Sequence, residues 1–401
     1  MLAERTTRVG TSPTMKVAAE ADRLRREGVD VVDLGAGEPD FPTPEHVKAA
    51  GRAAIDADFT KYTVNAGTQD LRVAIADRYR ADYGVDYSPQ EVIVSAGGKQ
   101  ALYNAAMALF GPGDEVVTHS PGWPTLVEQI KLADATPVIV RQSAEDGFAL
   151  RADAFIAAAG PRTRAFVINS PCNPTGALMP EDEMVELADF AAGRGIWIVL
   201  DLCYERLIYE PTPHNLPKIL ADRMRETTVI TGSASKAYAM TGWRCGWALG
   251  PAPVVAAANA IQSHSTSNVC SITQKAVLAA LTGPQVCVTA MLDEYRRRRD
   301  LVIARLTANP RFRCVSPKGA FYVFPDVSDL LSPDGFRTSA DLAQALLDDV
   351  RVALTPGEAF DAPGFVRISY ATSVERLEEA ARRIEHFVQA LDRGDRAMTR
   401  G

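Results

Sequence analysis

The sequence predicts an α/β protein with a mostly parallel central sheet flanked by helices, joined to a smaller α+β domain. Three observations predict it. Between about residues 45 and 290, short apolar runs alternate with longer amphipathic stretches. Those runs are continuous rather than alternating, as strands buried on both faces are. Beyond 290 the pattern changes to a long charged helix, two-residue alternation and short strands. The segments are therefore assigned as 1–44, an N-terminal arm and part of the small domain; 45–290, the large domain; and 291–401, the small C-terminal domain.

In chain order, the large domain is expected to hold strands over 91–95 (EVIVS), 115–118 (EVVT), 137–140, 164–169 (RAFVIN), 195–201 (GIWIVLD), 228–231 (TVIT) and 246–249. Helices are expected over 68–83, 99–109, 180–194 and 254–261. The tail reads as a helix over 292–306, alternation in 312–316 and 320–325, and a helix over 339–348. Strands over 352–354 and 364–369 and a helix over 373–391 complete it.

Composition narrows the function. The 401 residues are 47% hydrophobic and 23% charged, which excludes a disordered chain, a collagen-like repeat and a small disulfide scaffold. Lysine and arginine number 43 against 50 acidic residues, a net charge of −7 with no bulk attraction to nucleic acid. The run Arg296–Arg299 is flanked by Glu294 and Asp300 and reads as a solvated face or an ion-pair network. The six cysteines include no C-x-x-C pair and the five histidines are scattered, so no metal site is expected. The thiols are expected to be reduced and mostly buried. No apolar run approaches the ~18 residues of a membrane span, and the charged N-terminal stretch lacks a secretory apolar core. A cytoplasmic protein is expected.

The stretch 231–249, TGSASKAYAMTGWRCGWAL, carries the most chemistry. A strand ends, a Ser-rich turn follows, and Lys236 comes next, with Arg244 eight residues on. A lysine at the carboxyl end of a parallel strand faces the crevice where such sheets bind ligands. Desolvation there lowers its pKa and makes the amine nucleophilic toward an aldehyde. Asp201 closes the apolar run GIWIVLD, where a carboxylate is costly unless a cation meets it. Tyr204 follows it. Asn173 lies in the turn SPCNPTG after another strand. Gly97-Gly98-Lys99 follows EVIVS and opens a helix, presenting backbone amides to a phosphate. The spacing is not that of a nucleotide P-loop, and Gly35-Ala36-Gly37-Glu38 lacks the third glycine of a dinucleotide fingerprint. One cofactor needs an amine for its aldehyde, a carboxylate for its pyridine nitrogen, and Arg plus amides for its phosphate: pyridoxal phosphate.

The motifs GAGEPDF (35–41), TKY (60–62), GGKQAL (97–102), PGW (121–123), NPTG (173–176), D-x-x-Y (201–204), SASK (233–236), WRCGW (243–247) and VRISYA (366–371) stand together in one order. In them the chain resembles the class I aminotransferases of pyridoxal-phosphate fold type I, in the bacterial aspartate and aspartate/prephenate branch. The likeness runs from Ser12 to the last helix. It implies that Lys236 binds the cofactor aldehyde and shuttles the substrate proton. It implies that Asp201 pairs with the pyridine nitrogen, that Tyr204 and Asn173 meet the phenolic oxygen, and that Trp123 stacks on the ring. Gly98, Lys99, Ser233 and Arg244 would form the phosphate cup. Tyr62 would reach the phosphate of a neighbouring subunit, implying a homodimer. Arg367 would clamp the substrate α-carboxylate, with the Gly37 amide beside it and with Trp123 and Asn173 also facing the substrate. Lys99 would meet the side-chain carboxylate, assisted by Ser265 or Thr266.

The chain departs from its relatives at Leu202, often a glutamate, and at Cys245, usually aliphatic. Lys16 and Ser12 are further departures near the expected entrance. The resemblance implies transfer from L-aspartate to 2-oxoglutarate. Prephenate or another amino/keto acid pair, or a different chemistry on the same cofactor such as C–S lysis, stays open. The S-x-x-K reading of Ser233–Lys236 as a serine hydrolase lacks its companion motifs.

Overall fold

The apolar runs become strands, most with side chains buried on both faces and the one over 136–141 only partly buried. A two-residue strand, β1 (Val32–Asp33), comes first. Seven then form one sheet: β2 (Val92–Ser95), β3 (Glu115–Ser120), β4 (Thr136–Arg141), β5 (Thr163–Asn169), β6 (Trp197–Asp201), β7 (Thr228–Ser233) and β8 (Gly246–Leu249). Four short strands follow, β9 (Tyr322–Val323), β10 (Val352–Ala353), β11 (Thr355–Pro356) and β12 (Val366–Ser369). The computed structural model describes residues 5–10, 13–209, 211 and 214–393. Ser12 lies outside them, as does the side chain of Lys16.

The large sheet has the order β2-β8-β7-β6-β5-β3-β4. Only β8 runs against its neighbours; every other pairing is parallel. The carboxyl ends of β5, β6 and β7 therefore open along one edge, where an open α/β sheet places its ligand crevice. Helices Gln69–Tyr83, Gly98–Leu109, Glu181–Arg194 and Ala252–Ser263 match the four expected between the strands.

A second core lies beside the first. It gathers Val32 and Leu34 from the start of the chain with Tyr295, Phe321, Tyr322, Ile368 and Phe387 from its end. Parallel pairing of β1 with β10 and a Leu34 N–H bond to the Ala353 carbonyl (2.7 Å) tie those segments together. Helix Val286–Thr307 is continuous between the cores: Val288 packs in the first and Met291 in the second. Helix Pro13–Arg26 buries Ala21 and Leu24 against Val31, Leu347 and Ala353. Just before it, Arg8 pairs with Asp134 (2.6 Å) and the Gly10 amide donates to Glu128 (3.0 Å).

Three expectations are corrected or sharpened. The alternation in 312–316 buries Phe312 but builds no strand, because Arg313 finds only an isolated bridge to Asp326. Of the two readings of Arg296–Arg299, the ion-pair network holds, and the solvated face does so only at Arg297. Arg298 and Arg299 are each 6% exposed. Arg298 is held by Asp40 and Glu294, and Arg299 donates to the Pro317 carbonyl. Of the cysteines, Cys172 and Cys245 are buried while Cys270 is exposed and the others intermediate, so burial is less general than expected. All six thiols are free. Among the described residues, no single helix is long and apolar enough to cross a membrane and no group of side chains could hold a metal ion.

Gly246 shows how tightly the ligand edge is packed. A Cβ there would lie 2.4 Å from the Gly98 nitrogen, 2.6 Å from the Gly97 carbonyl carbon and 2.8 Å from the Gly232 oxygen. All three are backbone, so none can rotate away. Gly246→Ala is expected to cost about 1–3 kcal/mol, seen as a lower thermal unfolding midpoint beside wild type. An unchanged midpoint would mean that these strands part freely enough to admit a methyl group.

Candidate active site

Asp201 ends β6 beside Asn169, its register partner at the end of β5. Its carboxylate accepts from the Cys203 amide (3.0 Å) and from Asn169 Nδ2 (3.1 Å). No cation among the described residues pairs with it. Burial pushes its carboxyl up to about 7, opposed in part by the Cys203 amide. His119, at the end of β3, accepts from the Asn169 amide (3.3 Å), and burial lowers its pKa to about 4. It is therefore neutral and buttresses Asn169.

One strand over, Ser233 ends β7 and caps the short helix Ala234–Ala237 by accepting from the Ser235 amide (3.0 Å). That turn sets Lys236 facing the crevice. Its Nζ donates to the Gly37 carbonyl (2.5 Å) and sits 6.0 Å and 5.8 Å from the ring centres of Tyr204 and Phe321. Burial lowers the pKa of its ammonium, and Arg367 and Arg244 push the same way.

An anion cradle lies between β2 and β8. Gly97, at φ +87°, turns the chain into helix Gly98–Leu109 so that the helix amides face the crevice. A Cβ on Gly97 would stand 2.6 Å from Nη2 of Arg244, so only glycine admits the guanidinium here. The Ser233 and Ser235 hydroxyls lie 2.8 Å apart on the opposite wall.

Arg367 projects from β12 and is 3% exposed. It donates to Asn173 Oδ1 (3.0 Å) and to the Gly35 carbonyl (2.8 Å), and it stacks on Tyr322 and Phe360 at 4.3 Å and 5.0 Å. Its Nε is buried with no partner. Asn173 is fixed by its own amide, which donates to Asn169 Oδ1 (2.9 Å). The hydroxyls of Tyr204 and Tyr322 meet at 2.9 Å. Lys99 lies 5.1 Å over the Trp123 ring, and burial together with Arg244 lowers its pKa.

A cavity of about 500 Å³ brings Gly37, Gly98, Lys99, Trp123, Asn173, Asp201, Tyr204, Ser233, Lys236, Arg244 and Arg367 together. Tyr62 is the exception: it is 92% exposed and does not line this chain's cavity. Ser265 and Thr266 do not line this cavity either. Ser265 donates to the Gln262 carbonyl (3.3 Å), and Thr266 accepts from Gln100. Asn169, Cys203, Tyr322 and Asp33 line the cavity without having been singled out in the sequence. Asn169 could have been: it too is a polar residue closing an apolar strand. Tyr322 carries no such signal, since its alternating run gives a face and not a partner.

A lysine, a carboxylate and an anion cradle converging on one sheet edge define a site for a phosphorylated carbonyl cofactor. The family Aminotransferase class I and II matches residues 29–384. An aspartate aminotransferase of Geobacillus stearothermophilus is 41% identical over 389 residues, covering 97% of this chain and 99% of that protein. An aspartate/prephenate aminotransferase of Thermus thermophilus is 43% identical over 395 residues, covering 98% and 99%. Among solved structures, the Thermus thermophilus aspartate aminotransferase with maleate superposes with a TM-score of 0.91 at 41% identity, over 96% of this chain and 99% of that one. The Rhizobium meliloti aspartate aminotransferase also gives 0.91, at 40% identity, over 96% and 98%. The chain belongs to the class I and II aminotransferase family. It is an aminotransferase, and its cofactor is pyridoxal phosphate.

The residues present fit that cofactor on their own chemistry. The Gly97 cradle and Arg244 suit a phosphate, the uncompensated Asp201 carboxylate suits a protonated ring nitrogen, and the low-pKa Lys236 suits an aldehyde.

A carboxyl that titrates near 7 in the folded chain and near 4 unfolded binds its proton more tightly when folded. It therefore makes stability fall as pH rises between those values. In cofactor-free protein, the unfolding midpoint of wild type is expected to drop from pH 5 to pH 8 by more than that of Asp201→Asn. Parallel pH profiles for the two proteins would show that Asp201 is ionised throughout.

Proposed function

We propose that this chain transfers the amino group of L-aspartate to 2-oxoglutarate, giving oxaloacetate and L-glutamate. One observation carries the reading: with Arg244 given to the phosphate and Arg25 paired to Asp33 and Asp22, the cations Arg367 and Lys99 line the same cavity as Lys236, which suits a substrate with two carboxylates. The names of the Geobacillus and Rhizobium relatives agree with it.

When bound, pyridoxal phosphate supplies the carbonyl that takes up the amino group and the ring that accepts electrons. The side chains do the rest. Gly98, Lys99, Ser233 and Arg244 hold the phosphate end. Asp201 keeps a proton on the ring nitrogen, with Asn169 holding its carboxylate in place. Tyr204 and Asn173 orient the phenolic oxygen, and Trp123 covers one face of the ring. Arg367 grips the α-carboxylate with the Gly37 amide beside it, and Lys99 takes the distal carboxylate. Lys236, placed beside the aldehyde end, would be the base that takes and returns the proton at the substrate α-carbon. Its low pKa leaves a share of the amine unprotonated to do so.

A second copy of the chain completes the site in this reading. Tyr62 and Val64 are exposed at 92% and 64%, and an open groove of about 640 Å³ runs beside Arg244. Tyr62 of one copy would enter that groove of the other and reach the phosphate. A cytoplasmic location belongs to the same reading. Prephenate is the alternative acceptor, named for the Thermus relative.

The deciding experiment adds L-aspartate, without keto acid, to protein loaded with pyridoxal phosphate. The yellow visible band is expected to give way to a near-ultraviolet band as oxaloacetate appears. An unmoved band would remove aspartate as the donor, and the same titration with prephenate as acceptor tests the alternative. Lys99→Ala is expected to raise KM for aspartate about 10–100-fold, the worth of one charge-assisted contact. Its effect on a neutral amino acid should be far smaller, and equal effects on both would place Lys99 on the phosphate alone.

A further inference from the structure

The clamp at Arg367 rests on a carbonyl, and that carbonyl is itself held from behind. Gly35 lies two residues past Asp33, the last residue of β1. The Gly35 amide donates to Asp33 Oδ1 (2.8 Å), while the Gly35 carbonyl accepts from Arg367 Nη2 (2.8 Å). One peptide segment therefore touches Asp33 on one side and the guanidinium on the other. Asp33 is fixed in turn: its Oδ2 pairs with Arg25 of helix Pro13–Arg26, and Arg25 also pairs with Asp22 (2.5 Å). The Asp33 side chain is 19% exposed and that of Arg25 41%, so the carboxylate is the sheltered end of the pair. Leu34, between the two, is pinned by bonds to Ala353 and Ser369 (2.7 Å each). The same loop carries the Gly37 carbonyl that receives Lys236.

We propose that Asp33 is a positioning residue for the substrate-carboxylate clamp, acting through the Gly35 peptide, with Arg25 coupling helix Pro13–Arg26 to it. Asp33 has no bond to Arg367 itself. It fixes the turn whose carbonyl orients the guanidinium, and so sets how Arg367 meets a carboxylate. The inference rests on the reading of Arg367 as that clamp.

The test compares Asp33→Ala, Asp33→Asn and Arg25→Ala in the cofactor-loaded enzyme. Titrating the half-reaction with L-aspartate separates the dissociation constant from the limiting rate. Asp33→Ala loses the acceptor for the Gly35 amide and is expected to weaken binding about tenfold, with the limiting rate changed less than about twofold. Asp33→Asn keeps an acceptor oxygen and is expected to recover most of that loss. Arg25→Ala should fall between wild type and Asp33→Ala. Amide hydrogen exchange of the peptide spanning 34–38 should quicken in Asp33→Ala and not in Asp33→Asn. Wild-type affinity in Asp33→Ala overturns the inference. So do equal losses in the Ala and Asn variants accompanied by loss of bound cofactor, since Asp33 would then be merely structural. Arg367→Lys is the control: if it binds aspartate as wild type does, the clamp reading fails rather than the role of Asp33.

Discussion

The cleft depends on a guanidinium held almost wholly out of water. Burying a charge is costly unless its hydrogen bonds are replaced. Arg367 replaces them with the Asn173 side chain and the Gly35 carbonyl, 194 and 332 residues away in sequence, and with two aromatic faces. Those contacts join the end of β5, the segment after β1 and strand β12 around one charge. The remaining Nε is buried with no hydrogen-bond partner among the described residues.

Burial acts differently on the two groups at the other side of the cavity. It raises the proton affinity of Asp201 and lowers that of Lys236, driving both toward neutrality. Arginine resists the same pressure because its guanidinium does not give up its proton. The site thus combines guanidinium groups, at Arg367 and Arg244, with groups whose proton affinity burial shifts, at Asp201, Lys236 and Lys99. The first suit recognition of anions, and the second suit chemistry in which a proton and a carbonyl change hands.

Most of the large sheet was legible because its strands are continuous apolar runs and its helices carry the opposite pattern. The strands of the second core were less so. β9, β10 and β11 are two residues long, and their pairing depends on partners far away in sequence. Asp201 stood out since a carboxylate closing an apolar strand demands an explanation. Asn169 sends the same signal one strand over, and its meaning emerges only in register with Asp201. The Tyr204–Tyr322 hydroxyl pair and the bond from Arg367 to the Gly35 carbonyl arise from packing between distant segments, which periodicity does not encode. The arginine run was legible as an ion-pair network, but the burial of Arg298 and Arg299 was not, because it depends on Asp40 and the Pro317 carbonyl being brought against them.

Both ends of the chain are needed to close the second core, and this sets an order of events during synthesis. Val32 pairs with Val352, so 352 − 32 = 320 residues separate the two strands. At the ribosome's pace of about 5–20 residues per second, β1 waits roughly 15–60 s for β10. Within that interval the last strand of the large sheet, β8, is made and the sheet can form, while Val32 and Leu34 still lack their partners from β9, β10 and β12. The apolar run VDVVDL is thus the stretch of the nascent polypeptide with the longest claim on a chaperone, and Asp30 and Asp33 within it place charges where an unpaired strand would otherwise aggregate.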